Sequence, residues 1–255
     1  MAKILKIPLD ITDRAAATTA PQDVLAEDAA TFDVLRRMSE DILSCVLKPD
    51  QRLGFDELRQ RSHTSVGTLR EALSHLVSEG LARTEAGRGF SVAPISLADF
   101  LDLSELRVYL ETRTLADAIR HGTDAWEAEI VSSYFLLNKL APPKTNDPVN
   151  VKREWGKRHK RFHDSLVATC TSPWSLHFRS ELFDQARRYH WLTMIHARSR
   201  RRNEHLELRD AVLARDVALS CALIEKHIRT TVEQAASEVP GLTMDGVRSA
   251  KRRKA

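Results

Sequence analysis

The sequence predicts a mainly α-helical protein with one small β-hairpin, arranged as two folded units. Three observations carry this. Only nine Gly and nine Pro occur in 255 residues, so helix breakers are few. Apolar side chains recur at three- and four-residue steps, as in Val34, Leu35, Met38, Ile42, Leu43, Val46 and Leu47. Two short β runs flank a Gly-rich turn at Glu85-Ala-Gly-Arg-Gly89 and read as a hairpin. At 42% apolar and 29% charged, the chain has enough hydrophobic material for a core and too much for wholesale disorder.

Taken in order, residues 1–30 read as a disordered tail, because Arg14 to Pro21 offers no large apolar side chain. A helix follows from Asp33 and is stopped by Pro49. Gln51 to Phe55 is a turn with a brief strand, and Asp56 is expected to cap a short helix through Arg61. Thr68 to Glu79 is a second clear helix, closed by Gly80. The hairpin runs Leu81–Thr84 and Phe90–Ala93, and a first unit therefore spans 31–95. Ser96 to Asp99 opens a second unit with a capping box, and its helix should run to about Arg120. Further helices are expected at about 124–140, 151–170, 173–197, 201–215 and 217–238, after a breaker-dense loop at 141–148. The second unit spans 96–239, and 240–255 reads as a disordered tail with five basic residues between Arg248 and Lys254. Trp155, Trp174 and Trp191 read as core or pocket wall.

Composition excludes several classes. Cys45, Cys170 and Cys221 are odd in number and far apart, which argues against a disulfide-stapled secreted fold. No run of about 18 apolar residues exists to span a membrane. The opening MAKILKIPLD breaks at Pro8 and Asp10, too soon for a signal peptide, so a cytoplasmic setting is expected. The net charge of +4 permits a nucleic-acid partner without demanding one.

Helix, short helix, turn, helix and hairpin is the element order of a winged helix-turn-helix. A helix fits the DNA major groove, and its amino end can present side chains to base edges. Residues 31–95 carry nine basic and nine acidic residues, so the charge argument is local. Arg59 to Arg70, RQRSHTSVGTLR, holds three arginines and no acid. The hairpin's glycines let backbone approach phosphates, with Arg88 between them.

Residues 33–93 resemble the DNA-binding half of the GntR family of bacterial transcription regulators. The strings that carry the resemblance are Leu47-Lys-Pro49 with Arg52-Leu53, Asp56-Glu-Leu58, Leu69-Arg-Glu-Ala-Leu73, Leu76, Glu79-Gly-Leu81, and Gly87-Arg-Gly-Phe90 with Val92. The resemblance implies a double-stranded DNA operator as partner. It places DNA contacts at Arg59, Ser65, Val66, Gly67, Thr68, Arg70, Arg88 and Gly89. This chain departs from the pattern at His63, where Gly is common, and at Val66 and Thr68, where a basic residue and Pro are frequent. Base readout depends on those side chains, so operator sequence does not carry over.

Ten histidines prompt a second search. His159 and His163 are four apart and share a helix face, while His205 and His227 lie 22 residues apart on later helices. Helical bundles build metal sites from such pairs, and neutral imidazole suits Zn or Ni. Lys160 stands where a zinc protease has its general-base Glu, which disfavours hydrolysis.

Residues 99–232 resemble the FadR C-terminal (FCD) domain, an all-helical ligand-sensing bundle found in one GntR subgroup. The residues are Glu105-Leu-Arg107 with Leu110-Glu111, Phe162-His163 with Leu166, and His205 with Leu213, Asp216 and His227-Ile228. Metal-binding members hold a divalent ion through an Asp four residues before the Phe-His histidine, that histidine, and two later ones. The resemblance thus implies His163, His205 and His227 as ligands, with His159 at the Asp position. It also implies a small carboxylate effector held by Arg107, Arg188 and Tyr189. Arg107 is equally open to a helix-spaced ion pair with Glu111. Ala168-Thr-Cys170, Ser172-Pro-Trp174 and Tyr189 resemble a CsiR-like branch, which implies a dicarboxylate such as glutarate. The expected whole is not an enzyme but a homodimeric repressor released from a palindromic operator by that acid. Two alternatives stand beside it: a metal-dependent enzyme using the histidines, and a DNA-binding protein whose helical half only dimerises.

Overall fold

The computed structural model describes residues 22–85, 87, 89–144, 147–194, 201–239, 242–244 and 246–247. Helix α1 (Gln22–Leu43) opens the described chain. It begins well before the expected start: Gln22 to Ala30 holds three alanines and no Gly or Pro, so helix costs it little, and this overrides the reading of 22–30 as a tail. Residues 1–21 lie outside the described residues. Strand β1 (Arg52–Leu53) leads to α2 (Phe55–Ser62), α3 (Val66–Ser78) and the hairpin β2 (Ala82–Glu85) and β3 (Gly89–Val92). The antiparallel sheet has the order β1-β3-β2, with Thr84 opposite Phe90 and Leu53 opposite Phe90 on the other side. Val34, Met38 and Ile42 of α1 pack with Leu69, Leu73 and Leu76 of α3 into one buried core. Burial of each is worth roughly 1.5–3 kcal/mol.

The turns explain themselves locally. Ser65 caps α3, its hydroxyl accepting from the Thr68 N–H at 3.1 Å. Gly80 follows α3 at φ +69°, a conformation costly to a side chain. His63 closes α2 in the same left-handed region at φ 53°. This is where the resembled family has Gly, and His is among the residues that tolerate the position best. Asp56 is not the cap of α2: Gly54 holds that position, and Asp56 lies inside the first turn, where it complements the helix dipole.

The second unit is a bundle of α4 (Leu97–His121), α5 (Asp124–Asn138), α6 (Val149–Leu166), α7 (Pro173–Met194), α8 (Arg201–Leu213) and α9 (Val217–Glu238). Ser96, Thr123 and Asp216 cap α4, α5 and α9, each accepting from the N–H group three residues on. Leu115, Ile130, Phe162, Leu166, Leu208, Val212 and Ile228 form the main core, α4 lying along α9 and α5 along α6. Trp155 and Trp191 are buried as expected. Trp174 is not: it is 72% exposed, since it opens α7 where no helix covers it. Beyond Pro240, strands β4 (Leu242–Thr243) and β5 (Gly246–Val247) pair antiparallel, with Leu242 buried against α9, so these residues are not tail. Residues 248–255 lie outside the described residues. Among the described residues no helix is long and apolar enough to cross a membrane.

The two units meet along α7. Gln185 donates to the carbonyl of Glu79, at the carboxyl end of α3 (2.7 Å), and Arg187 pairs with Glu40 of α1 (2.7 Å). Arg188 donates to the Ala93 carbonyl in the connecting segment. From α6, Arg153 pairs with Asp41, which also takes Arg61 of α2.

Candidate nucleic-acid interface and metal centre

Leu69, Ala72, Leu73 and Leu76 bury one side of α3 completely, which leaves its other side outward. Ser65, Val66, Gly67 and Arg70 are exposed at its amino end, Thr68 is half-buried, and Arg59 is exposed on α2. The Arg70 guanidinium lies 5.9 Å from the Phe55 ring, which steadies it without covering it. A helix amino end with free N–H groups and arginines beside it attracts phosphate. Gly89 is exposed at the start of β3 with φ +84°. Arg88 lies outside the described residues.

The second site is buried. Helix α6 brings His159 and His163, one turn apart; α8 brings His205 and α9 brings His227. The four rings each offer a nitrogen, and these lie within 4.8 Å of one another. His163 is 1% exposed and the other three are no more than 7%. The Nε2 atoms of His159, His163 and His205 form a triangle with sides of 3.1, 3.2 and 3.3 Å. Three neutral imidazoles cannot satisfy such a triangle with linear hydrogen bonds, because each carries one N–H. The sides match those around one shared cation: tetrahedral Zn–N bonds of about 2.0–2.1 Å set nitrogens about 3.3 Å apart.

Charge agrees with geometry. Burial holds the His159 and His163 pKa values well below the ordinary histidine range, and the neighbouring histidines push the same way. Both are therefore neutral, the form that ligates. His227 turns its Nδ1 to Glu204 Oε2 at 2.9 Å, the carboxylate contact that fixes a ligating ring. Trp155 stacks on His159 with centroids 4.6 Å apart. The residues present fit a divalent ion.

Beside the histidines lies a cavity of about 30 Å³, walled by Arg107, Phe183, Ala186, His190 and Thr231 among others. It has room for a water or two. Arg107 is here, and it also makes the ion pair with Glu111, at 3.4 Å. Burial opposes the charge on Arg107 and Glu111 supports it. Glu111 is shared with Arg179 (2.8 Å), which also holds Asp164 (2.7 Å) and the His163 carbonyl (3.0 Å).

The structure does not bring Arg188 and Tyr189 to this cavity. Arg188 faces the segment between the units, and Tyr189 stacks on Phe100 and donates to Asp99 at the start of α4. The reason is helical phase. Residues 179, 183, 186 and 190 form one face of α7, while 188 and 189 point elsewhere. That four-three-four spacing was readable in DQARRYHWL and its approach, and it identifies Arg179, Phe183 and His190, which sequence reasoning missed. His196 lies outside the described residues.

Both units are similar to known proteins. Residues 31–92 match the family described as bacterial regulatory proteins, gntR family, and residues 102–230 match the FCD domain. The uncharacterized HTH-type transcriptional regulator BphR of Paraburkholderia xenovorans (strain LB400) is 37% identical over 222 residues, 86% of this chain and 91% of the relative. The HTH-type transcriptional repressor GlaR of Escherichia coli (strain K12) is 34% identical over 208 residues, 79% of this chain and 94% of the relative. Among solved structures, E. coli McbR/YncC has a TM-score of 0.68 at 17% identity, covering 82% of this chain and 97% of that one. At that identity the likeness speaks for the fold.

Proposed function

The chain belongs to the GntR family of bacterial regulatory proteins, in the branch that carries an FCD domain, and is a DNA-binding transcription regulator rather than an enzyme; from that premise we propose that it is a cytoplasmic, homodimeric, metal-dependent repressor. A small carboxylate bound beside the histidines releases it from a palindromic operator. In this reading 31–95 reads DNA and 96–239 senses the acid and dimerises. DNA contacts fall to Arg59, Ser65, Val66, Gly67, Thr68, Arg70, Arg88 and Gly89. His159, His163, His205 and His227 hold a divalent ion, Zn or Ni, and Arg107 holds the effector.

The observation that carries the sensing half is the buried Nε2 triangle with a guanidinium at the same cavity. Were an ion held by all four histidines, a carboxylate oxygen would have to join as a further ligand, expanding the coordination beyond four. Arg107 supplies the opposing charge, and the buried surroundings keep water from weakening the contact. The name of the GlaR relative, a repressor, supports the sign of regulation. Homodimerisation has its own support: Trp174, Phe178, Tyr109 and Leu106 are half or more exposed on α4 and α7. Such side chains are the usual material of an interface core. In a dimer the effector acts by favouring a domain arrangement with the wrong half-site spacing, so acid and DNA must weaken each other's binding equally.

Thermal-shift titration of metal-stripped and metal-reloaded protein against mono- and dicarboxylates tests this without knowing the operator. A ligand of the folded state at a hundred times its Kd adds about 2.7 kcal/mol of stability. At least one acid should raise the melting temperature of the reloaded protein alone. If metal changes nothing and no acid shifts the melt, the helical half only dimerises.

A further inference from the structure

The seam between the two units holds a charged hollow away from the histidines. Helices α1 and α2 of the DNA-binding unit and α6 of the bundle enclose a cleft of about 500 Å³. Five basic side chains border it, Arg36, Arg37, Arg61, Arg153 and Lys157, against two acids, Glu40 and Asp41. The pairing leaves cations over. Arg36 and Arg37 share Asp33, which stands outside the cleft. Arg61 and Arg153, one from each unit, share Asp41. Glu40 is held by Arg187 of α7, whose other partner, Asp184, does not border the cleft. Lys157 is exposed and pairs with no carboxylate among the described residues. The Arg153 Nε is buried and makes no hydrogen bond. One carboxylate neutralises one guanidinium, and burial pushes the Asp41 carboxyl up despite the pull of both arginines.

We propose that this cleft binds an organic phosphate with two or more phosphoryl groups, held by Arg61, Arg153 and Lys157. A guanidinium fork matches phosphate oxygens in pairs, and the Arg153 Nε supplies a donor that Asp41 does not use. Lys157 adds a point charge. Val46 and Val149 border the same cleft and give the carbon part of such a molecule an apolar wall. A concave hollow of this size lies within the ~300–1,000 Å³ of small-molecule sites. A DNA duplex is met instead by protruding elements that enter its grooves. Asp41 is the point where Arg61 of α2 meets Arg153 of α6, so an anion bridging the two arginines ties the units together there. None of the cleft's residues borders the histidine cavity, and the inference stands whether or not an acid binds beside the histidines.

The test is calorimetric titration of full-length, metal-reloaded protein with fructose 1,6-bisphosphate and ATP, each against its unphosphorylated parent, fructose and adenosine. At least one phosphate should bind about tenfold or more tighter than its parent, and its affinity should fall as salt rises. Metal content should not change during the titration, which separates binding from chelation. Arg153→Gln should weaken the phosphate about tenfold, and Lys157→Gln, an exposed change, about threefold. Arg70→Gln, on the α3 surface, should leave it unchanged. If Arg153→Gln fails to fold, the Lys157→Gln loss still decides the matter. Phosphates that bind no tighter than their parents, or that bind Lys157→Gln and Arg153→Gln as tightly as wild type, overturn the inference. A loss in Arg70→Gln alone would put the anions on the α3 surface and overturn it too. So would a wild type that binds neither phosphate while Arg153→Gln loses affinity for a random-sequence duplex, since the cleft would then serve DNA backbone.

Discussion

The exposed surface at the amino end of α3 draws its side chains from the short stretch Arg59 to Arg70 on α2 and α3, whereas the histidine cluster gathers its imidazoles from α6, α8 and α9, from residue 159 to residue 227. At α3 the functional groups are exposed, and the fold rests on the leucines behind them. In the cavity the functional groups are themselves the interior. A change at α3 can therefore alter recognition and spare the fold. In the cavity, ligand affinity, charge state and stability are one quantity read three ways.

The largest expected effect follows from that. His163→Ala removes one corner of the nitrogen triangle and an imidazole packed against Phe162 and Phe183. Metal affinity should fall by more than the ten- to hundredfold that losing an outer-shell partner costs. Metal analysis after dialysis measures it. Stoichiometric metal in the variant would show that these histidines do not form the binding site.

A smaller effect comes from charge. Burial keeps His159 and His163 neutral in the folded protein, yet in the unfolded chain they titrate near 6.5. Below that pH the unfolded state binds protons that the folded state refuses. Stability of the metal-free protein is thus intact above about pH 6.5 and declines as pH falls toward the depressed folded values. The slope is about 1.4 kcal/mol per pH unit for each histidine. Urea unfolding at pH 7.5 and 5.5, compared with His159→Gln, isolates the contribution. Equal slopes in the two proteins would mean that His159 is not buried neutral.

The contrast also governs what could be read beforehand. Ser65, the leucines of α3 and Gly80 announce a capped helix because each acts on neighbours three or four residues away. His159 and His163 likewise announce a shared face. Nothing in the sequence by itself joins them to His205 and His227, since that contact exists only once α8 and α9 close on α6; a family resemblance supplied it. Arg188 and Tyr189 show the limit of resemblance. A one-residue error of phase on α7 separates the cavity face, with Arg187 at its edge, from the side facing the connecting segment. The start of α1 departs from the expected tail for a different reason: Gln22 to Ala30 lacks a strong apolar stripe, and alanines without a helix breaker carry the helix instead.

The smallest effects test whether the two regions are as independent as their construction implies. Arg70→Ala should weaken operator binding by about 1–3 kcal/mol. Its side chain is exposed, with the Phe55 ring 5.9 Å from the guanidinium, so the melting temperature should barely move. Ser65→Ala removes the cap from the Thr68 N–H and should cost about 1 kcal/mol of stability. Both variants should keep wild-type metal content. Gel-shift titration with operator DNA, melting curves and metal analysis on the two proteins form one experiment. A loss of metal in Arg70→Ala would mean that the end of α3 and the cavity are coupled even without ligand, through Gln185 at Glu79 and Arg187 at Glu40. Unchanged metal with weakened DNA binding would show that the two regions are independent in the absence of ligand.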